Sequence, residues 1–344
     1  MKIVCVIGHF GFGREMLDGQ TVKTKAVTAE LEKRLGAEQV VKIDTHGGLR
    51  ALPGVLRQML NGFRLCENII IMPAHNGVRV FSPLCTAINR IFHRKLHYVV
   101  IGGWLPEMTA KQKWLAFFLK RMDGIYVETS KMSCALASQG FQNVMILPNF
   151  KDIPILTEDE LVYSHQEPYK LCTFSRVMKE KGIGEAVEAV RFVNEKYGRS
   201  VYTLDIYGQI DSGQTEWFNN LQSSFPEEIQ YKGTVPFEKS VDVLKDYHAL
   251  LFPTYYDGEG FAGTLLDSMA AGVPSIVSDW KYNSEIVIPG RTGILIRAHD
   301  QDTLNRAIEK CMDETWNEMK KECLKEASKY TPSKTICALI QNLQ

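Results

Sequence analysis

The stretch "HALLFPTYYDGEGFAGTLLDSMAAGVPSIVSD", residues 248–279, decides the fold class. Its pattern predicts an apolar strand, a glycine-rich turn, a short helix and a second apolar strand. Strands with near-continuous apolar runs are typical of parallel sheets, and parallel neighbours need a crossover that is usually a helix. The stretch therefore predicts a βαβ unit of an α/β domain.

The same alternation of strands and helices extends along the rest of the chain. It runs from "KIVCVIG" at residue 2, breaks at the proline-containing stretch "LPNFKDIPILTEDE" and restarts at "YKLCTFSRV". We therefore predict two doubly wound, Rossmann-like domains facing a central cleft, residues 1–150 and 151–330. A terminal helix, 331–344, is expected to pack back on the first domain. Ligands are expected beyond the carboxyl ends of the strands.

Composition limits the classes of protein that fit. The 344 residues carry 40 basic and 40 acidic side chains, a balance that argues against a dedicated nucleic-acid-binding protein. Eight cysteines without a CxxC pair predict reduced thiols in a cytoplasmic protein, not a zinc site or a disulfide framework. The apolar runs are shorter than the roughly 20 residues that span a bilayer.

Two acids flank the glycine-rich turn of the opening stretch. Glu259 lies among glycines, and Asp267 lies inside the short helix. The free N–H groups of a helix start attract phosphate, and Gly260 and Gly263 let it approach closely. Asp267 then suits a ribose diol. However, Thr264 and Asp267 also match a capping box, with Thr264 as the helix cap, so both interpretations of Asp267 remain open.

A second candidate stretch is "TFSRVMKEKGIGEAVEAV", residues 173–190. Arg176 and Lys181 lie between a predicted strand and a predicted helix, where two cations can neutralise a diphosphate. Taken alone, the stretch also fits a solvated basic turn that includes Lys179.

Several motifs follow one another in a fixed order over residues 170–297. They are "SRVMKEKG", "DIYGQ", "GTV", "PTYYDGEGFAGTLLDSMAAGVPSIVSDW", "NSEIV" and "GRTGILI". This order resembles the C-terminal half of retaining GT-B glycosyltransferases of family 4, the glycosyltransferase group 1 type. The N-terminal half is similar to the family more loosely, through "GHFGFG", "YVETSKM" and "LPNF".

The resemblance implies a role for each candidate residue. Arg176 and Lys181 match the basic pair that holds the donor diphosphate. Glu259 and Asp267 match the two acids of the family's E-x7-E motif, although the second acid here is Asp. Glu259 would contact the donor sugar and Asp267 the ribose. The other implied donor-binding residues are Gly11, Gly13, Val235, Phe261, Ala262, Gly263 and Thr264.

One residue of the family pattern is missing. Many relatives place a histidine after the strand "LHYVVIGGW", where this chain has Gly102, Gly103 and Trp104. His75, in "IMPAHNG", is a candidate to face the cleft and the acceptor, and the alternative is a hydrogen-bonded loop residue.

The resemblance implies transfer of a sugar, with retention, from a uridine or guanosine diphosphate sugar to a glycan or lipid-linked acceptor. The setting would be the biosynthesis of cell-surface polysaccharides. No cofactor or metal is implied, because cations and helix N–H groups can stabilise the departing phosphate. The acids Asp300 and Asp302 are predicted to start a helix and not to bind metal.

The segment "TAKQKWLAFFLKRM", residues 109–122, combines cations with Trp114, Phe117 and Phe118. Such a segment suits an anionic membrane surface, which would make the protein peripheral at the inner face of the membrane. The alternative is that the aromatic rings pack into their own domain.

Two other functions fit the same architecture. One is a nucleotide-sugar 2-epimerase, and the other is a non-catalytic module that binds nucleotide sugars. An NAD-dependent dehydrogenase is disfavoured because "GHFGFG" lacks the GxGxxG spacing.

Overall fold

The computed structural model describes residues 1–13, 19–313 and 315–343, with the backbone alone at 48–51. The chain divides into two compact units. The first unit contains Met1–Asp152 and Tyr330–Gln344, and the second contains Ile153–Lys329.

The first unit contains a parallel six-stranded sheet with the strand order β2-β1-β3-β4-β5-β6. Its strands are β1 (Lys2–Gly8), β2 (Val40–Asp44), β3 (Cys66–Met72), β4 (Lys95–Val99), β5 (Gly124–Val127) and β6 (Val144–Ile146). Its helices are α1 (Gly19–Leu35), α2 (Gly48–Leu65), α3 (Val78–Phe92), α4 (Leu105–Lys111), α5 (Lys113–Leu119), α6 (Ser130–Ala137) and, from the end of the chain, α13 (Pro332–Thr335) and α14 (Cys337–Leu343).

The core of the first unit joins the sheet to the end of the chain. Val4 and Ile70 of the sheet are buried in the same apolar cluster as Ile336, Leu339 and Leu343. Asn68 on β3 also donates from Nδ2 to the carbonyl oxygen of Leu343 at 3.0 Å. The last helices are therefore part of this unit.

The second unit repeats the plan with the order β12-β11-β10-β7-β8-β9, again all parallel. Its strands are β7 (Tyr169–Phe174), β8 (Tyr202–Tyr207), β9 (Ile229–Gly233), β10 (Ala249–Phe252), β11 (Ser275–Ser278) and β12 (Gly293–Ile296). Its helices are α7 (Ile183–Tyr197), α8 (Thr215–Gln222), α9 (Ser240–Leu244), α10 (Gly263–Ala270), α11 (Gln301–Lys310) and α12 (Thr315–Ala327).

The strand order of the second unit places its candidate site. β8 and β9 lie on one side of β7, and β10, β11 and β12 lie on the other. The direction of chain growth therefore reverses between β7 and β10. In open α/β sheets, the loops leaving the carboxyl ends of the strands diverge at such a switch point and leave a crevice for ligands.

The predicted α/β class with two doubly wound sheets is confirmed, but two element boundaries were wrong. The run "HALLFPTYY" predicts a strand that ends near Tyr256, but β10 ends at Phe252. Pro253 cannot donate to the ladder, and the N–H of Tyr255 instead donates to the carbonyl oxygen of Glu180 at 2.8 Å. The stretch "FEKSVDVLKDY" predicts a helix over 237–247, whereas the structure has only α9 there, preceded by one 3-10 turn.

No helix within the described ranges is both long and apolar enough to cross a membrane. Six of the eight cysteines are buried, as small core residues are.

Candidate functional site

The loops that follow β7 and β10 meet at the carboxyl edge of the second sheet. The backbone carbonyl of Glu180, in the first loop, accepts the N–H of Tyr255 at 2.8 Å. The hydroxyl of Thr254 lies 3.1 Å from the same carbonyl oxygen. These contacts fix one loop against the other at the switch point.

A buried ion pair joins the same two loops. Lys181 Nζ donates to Glu259 Oε2 at 2.6 Å, and Thr254 Oγ1 lies 2.9 Å from that oxygen. The side chains of Lys181 and Glu259 are only 13% and 7% exposed. The ammonium also lies 5.2 Å from the ring centre of Phe252 and 5.0 Å from that of Tyr256. The structure thus brings a predicted cation and a predicted acid into direct contact.

Gly182 makes this approach of the loops possible. Its φ is +73°, a left-handed conformation that is costly for other residues. A Cβ at this position would lie 2.3 Å from the carbonyl oxygen of Pro253. Lys181 therefore reaches Glu259 only because a glycine follows it.

The loop after β11 supports the site from the other side. Trp280 Nε1 donates to the carbonyl oxygen of Tyr256 at 2.9 Å, and Ser278 donates to the carbonyl oxygen of Thr254. Sequence reasoning missed Thr254, Tyr256 and Trp280. The sequence marks these three residues only by their place, because each follows a strand that lies inside the sheet and not at its edge.

Arg176 belongs to the same loop as Lys181 but lies in a different environment. Its side chain is half-exposed, and Nη1 is 3.6 Å from Asp211 Oδ2, in the loop after β8. The two members of the predicted basic pair therefore differ, since Lys181 is buried against an acid and Arg176 lies at the surface.

The predicted cap of α10 was wrong. The helix begins at Gly263, so Ala262 is its cap residue and Thr264 is already inside the helix. Across the residues that the structure describes, no side chain caps this helix start. Within the same residues, Thr264 Oγ1 is buried and has no hydrogen-bond partner. The start of α10 therefore offers backbone N–H groups and a hydroxyl group.

The capping-box interpretation of Asp267 fails for the same reason. Such a box needs the acid at the third helical position, and Asp267 is the fifth residue of α10. Asp267 is buried, and its Oδ1 accepts a hydrogen bond from Ser240 Oγ at 3.1 Å. Of the two interpretations of Asp267, the contact with a ribose is the one that we keep as a proposal.

The remaining predicted donor-binding residues of the second unit lie around these loops. Phe261 and Ala262 are buried immediately before α10, and Gly263 opens the helix. Val235 is half-buried, two residues beyond the end of β9.

An additional acid lies close to the site. Glu185, in the first turn of α7, has a raised pKa because burial disfavours its charged form; its own backbone N–H and the charge of His299 partly offset this effect. Glu185 lines a small cavity together with Tyr255 and His299.

In the first unit, the glycine loop after β1 surrounds a carboxylate of its own chain. Gly11 and Gly13 have φ of +61° and +78°, and the N–H groups of Phe10 and Phe12 donate to Asp44 at 2.9 Å each. Partial burial opposes ionisation of Asp44, but these N–H groups and those of His46 and Gly11 lower its pKa below the usual value. The N–H groups of this loop are thus engaged by Asp44, an acid of the same unit.

His75 and Trp104 follow neighbouring strands, β3 and β4. His75 is exposed, and its ring stands edge-on to that of Trp104 with 5.2 Å between the ring centres. His75 and Trp104 are therefore neighbours.

The basic aromatic segment, residues 109–122, contains the end of α4 and all of α5. Leu115, Ala116 and Leu119 face the interior, whereas Trp114 and Phe117 are 48% and 50% exposed. About half of each of these two side chains is therefore exposed, whereas Phe118 is partly buried and contacts both rings.

Comparison with known proteins identifies the family. A model described as "Glycosyl transferases group 1" matches residues 159–330, half of the chain. The match contains the loops after β7 and β10 and the whole of α10.

Three relatives are similar over large parts of the sequence. The GtfA subunit of a UDP-N-acetylglucosamine–peptide N-acetylglucosaminyltransferase from Streptococcus parasanguinis is 26% identical over 61% of this chain and 41% of the relative. An uncharacterized glycosyltransferase of Methanocaldococcus jannaschii is 23% identical over 75% of this chain and 69% of the relative. The lipopolysaccharide core mannosyltransferase LpcC of Rhizobium leguminosarum is 25% identical over 58% and 56%. The chain thus matches about two fifths of the length of GtfA.

Two solved structures share the fold over nearly their whole length. Anabaena HepE, solved with UDP, has a TM-score of 0.77 at 13% identity, covering 100% of this chain and 99% of HepE. Sucrose-phosphate synthase from Thermosynechococcus elongatus has a TM-score of 0.77 at 14% identity, covering 98% and 97%. The predicted GT-B fold is thereby confirmed. Since the family model covers half of the sequence, the chain belongs to the glycosyl transferases group 1 family.

Proposed function

We propose that this protein is a glycosyltransferase that moves a sugar, with retention, from a nucleoside diphosphate sugar to a saccharide or lipid-linked acceptor. The observation that carries the proposal is the buried contact of Lys181 with Glu259 at the β7/β10 switch point. A cation and an acid held side by side suit a ligand that joins a diphosphate to a sugar.

In this proposal Lys181 and Glu259 contact different parts of the nucleotide sugar. The hydrogen bonds from Lys181 and Thr254 both go to Oε2 of Glu259. A carboxylate has about four lone-pair positions, so Oε1 can accept the hydroxyl groups of the donor sugar. Lys181, adjacent to the sugar acid, then contacts the diphosphate.

The start of α10 completes the phosphate site. Its backbone N–H groups carry the positive end of the helix dipole, and the unpartnered hydroxyl of Thr264 is a further donor. Arg176, at the surface of the same edge, is free to turn from its 3.6 Å contact with Asp211 toward a phosphate. Together these groups stabilise the negative charge that develops on the departing phosphate.

The chemistry that we propose needs only groups of the protein and the substrates. The anomeric C–O bond to phosphate breaks, the acceptor oxygen bonds to the same face of that carbon, and the departing phosphate takes the acceptor proton. The sequence "DQD", residues 300–302, has a structural role in this proposal. Oδ1 of Asp300 accepts the N–H of Thr303 at 2.9 Å and caps α11. We therefore propose transfer without a metal ion.

We propose uridine as the first donor base to test, with guanosine as the second. HepE was solved with UDP, and GtfA is named for a UDP-sugar. In this chain, Val235 would contact the base and Asp267 the ribose. LpcC is named for the biosynthesis of the lipopolysaccharide core. This name supports our proposal that the present protein acts in the biosynthesis of polysaccharides.

We further propose that α4 and α5 rest on an anionic membrane surface. Trp114 and Phe117 are half-exposed, and Lys113, Lys120 and Arg121 are exposed beside them. The guanidinium of Arg121 covers the ring of Phe117, 3.3 Å from its centre. Apolar rings among cations are the chemistry that binds the headgroup region of acidic lipids.

The function is tested by a thermal-shift screen of nucleotide sugars, followed by product analysis with and without saccharide acceptors. A donor that binds should raise the unfolding temperature by mass action, and a glycosylated product should form only with acceptor. An isomerised nucleotide sugar formed without acceptor would indicate an epimerase instead. Binding without either product would indicate a non-catalytic module.

A further inference from the structure

We propose that Trp104 and His75 form a platform in the first unit for a sugar ring of the acceptor. This inference rests on the proposed function and specifies its acceptor as a saccharide. It is carried by four side chains of the first unit that are already linked to one another: His75, Asn76, Arg79 and Trp104.

The platform has a defined position in the fold. β3 is followed by His75 and Asn76, and β4, its parallel neighbour, is followed by Trp104. The first unit has the strand order β2-β1-β3-β4-β5-β6, so β3 also borders its own switch point. The carboxyl edge at a switch point is where open α/β sheets bind ligands.

The ring of Trp104 is held in a fixed orientation. Its Nε1 donates to the carbonyl oxygen of Ile101 at 2.8 Å, and the ring is half-buried. The face of an indole is electron-rich, whereas one face of a pyranose consists of C–H groups with partial positive charge. A sugar ring can therefore lie on the indole while its hydroxyl groups point outward.

The neighbouring polar groups suit those hydroxyl groups. Asn76 Oδ1 accepts from Arg79 Nη1 at 3.3 Å and lies 3.2 Å from His75 Nδ1. His75 therefore donates from Nδ1, which makes Nε2 of the neutral ring an acceptor. A sugar hydroxyl group both donates and accepts hydrogen bonds. Nε2 of His75 can accept the hydrogen bond that the hydroxyl group donates.

Arg79 supplies the complementary donors. Its Nε also donates to Gln112 Oε1 at 3.2 Å, so the guanidinium is fixed at two points. These two bonds use two of its five N–H groups. A fixed ring, an acceptor nitrogen and a fixed donor group form a preorganised site for a neutral polyol.

The test is saturation-transfer NMR with four disaccharides: maltose, cellobiose, chitobiose and mannobiose. The unmodified protein should bind at least one of them. Trp104→Ala should weaken that binding by about tenfold or more, Trp104→Phe should retain most of it, and His75→Ala should weaken it less than Trp104→Ala. The control is Phe192→Ala, an aromatic ring of the second unit that is 45% exposed, and it should bind as the unmodified protein does.

Calorimetric titration with UDP separates this proposal from the preceding one. The Trp104 and His75 variants should keep the UDP affinity and the unfolding temperature of the unmodified protein. No saccharide binding, binding that Trp104→Ala retains, or a loss of UDP affinity in that variant would overturn the platform. Saccharide binding that depends on Trp104 in a protein that binds neither UDP nor GDP would leave the platform standing and refute the nucleotide-sugar site.

Discussion

Glu259 and Lys181 illustrate how one contact can serve both folding and binding. A charge removed from water is stabilised by an opposite charge beside it. Deleting one partner of a buried pair therefore typically lowers the free energy of unfolding by about 3–5 kcal/mol. The pair is 2.6 Å long and is flanked by the rings of Phe252 and Tyr256. A diphosphate entering the site would share Lys181 with the acid.

Replacing Glu259 by Gln keeps the shape of the side chain and removes its charge. We expect the rate of sugar transfer to fall by about 100-fold or more, because the neutral amide binds the donor sugar less well in the transition state. UDP should bind as tightly as before or more tightly, since Lys181 is no longer neutralised. Steady-state kinetics and calorimetry measure the two effects. Unchanged transfer, or weaker UDP binding in a folded variant, would contradict the assignment.

At the scale of elements, the turn between β7 and α7 determines whether the loops can meet. Gly182→Ala should lower the free energy of unfolding by more than about 2 kcal/mol, because of its left-handed backbone and the contact with Pro253. The matched control is Gly184→Ala, since a Cβ there meets nothing within 4 Å. It should be neutral or stabilise by about 0.5–1 kcal/mol. Urea unfolding measures both, and equal effects would contradict this description of the turn.

The exposed face of α4 and α5 makes a separate prediction about lipid. Vesicles of phosphatidylglycerol should sediment the protein, and vesicles of phosphatidylcholine should sediment much less. Replacing Lys113, Lys120 and Arg121 by Gln, or Trp114 and Phe117 by Ala, should reduce that binding. Phe192→Ala, in the second unit, should not. Vesicle binding that is the same in every variant would remove the membrane proposal.

Across the whole molecule, the sequence was informative about elements and less so about contacts. The apolar run "KIVCVIG" predicted β1 to the residue, because such runs define buried strands. The end of β10 was misplaced because Tyr255 and Tyr256 look like strand residues, whereas Pro253 ends the ladder. The sequence pattern predicted Thr264 as the cap of α10, whereas the helix begins one residue earlier, because the pattern does not show where a helix begins.

The meeting of Lys181 with Glu259 could not be predicted from residue spacing alone. It depends on β7 and β10 being neighbours, although 74 residues lie between Phe174 at the end of β7 and Ala249 at the start of β10. Two strands, β8 and β9, lie between them in sequence. The family resemblance implied both residues as ligands of the donor but did not show that they contact each other. The pairing of His75 with Trp104 likewise follows from the adjacency of β3 and β4.

Both units should lose stability in mild acid. Burial lowers the pKa of His97 in the first unit and of His248 in the second to about 4, against about 6.5 in an unfolded chain. The unfolded state therefore binds more protons between these values, and stability falls as the pH drops from 6.5 toward 4. At pH 5, each histidine should lower the free energy of unfolding by about 2 kcal/mol. Urea titrations at pH 7.5 and pH 5 measure this, and equal stability would contradict it.

The central claim is that a diphosphate binds where the loops after β7 and β10 meet. Isothermal titration of UDP and GDP into three proteins tests it most directly: the unmodified chain, Lys181→Ala and Lys179→Ala. Lys179 lies in the same turn, but its side chain is exposed, so it is the matched control. We predict that Lys181→Ala weakens the tighter nucleotide by about tenfold or more, as losing one charge-assisted hydrogen bond implies, while Lys179→Ala binds as the unmodified chain does. Equal affinity in all three proteins, or no binding of either nucleotide, would contradict the account.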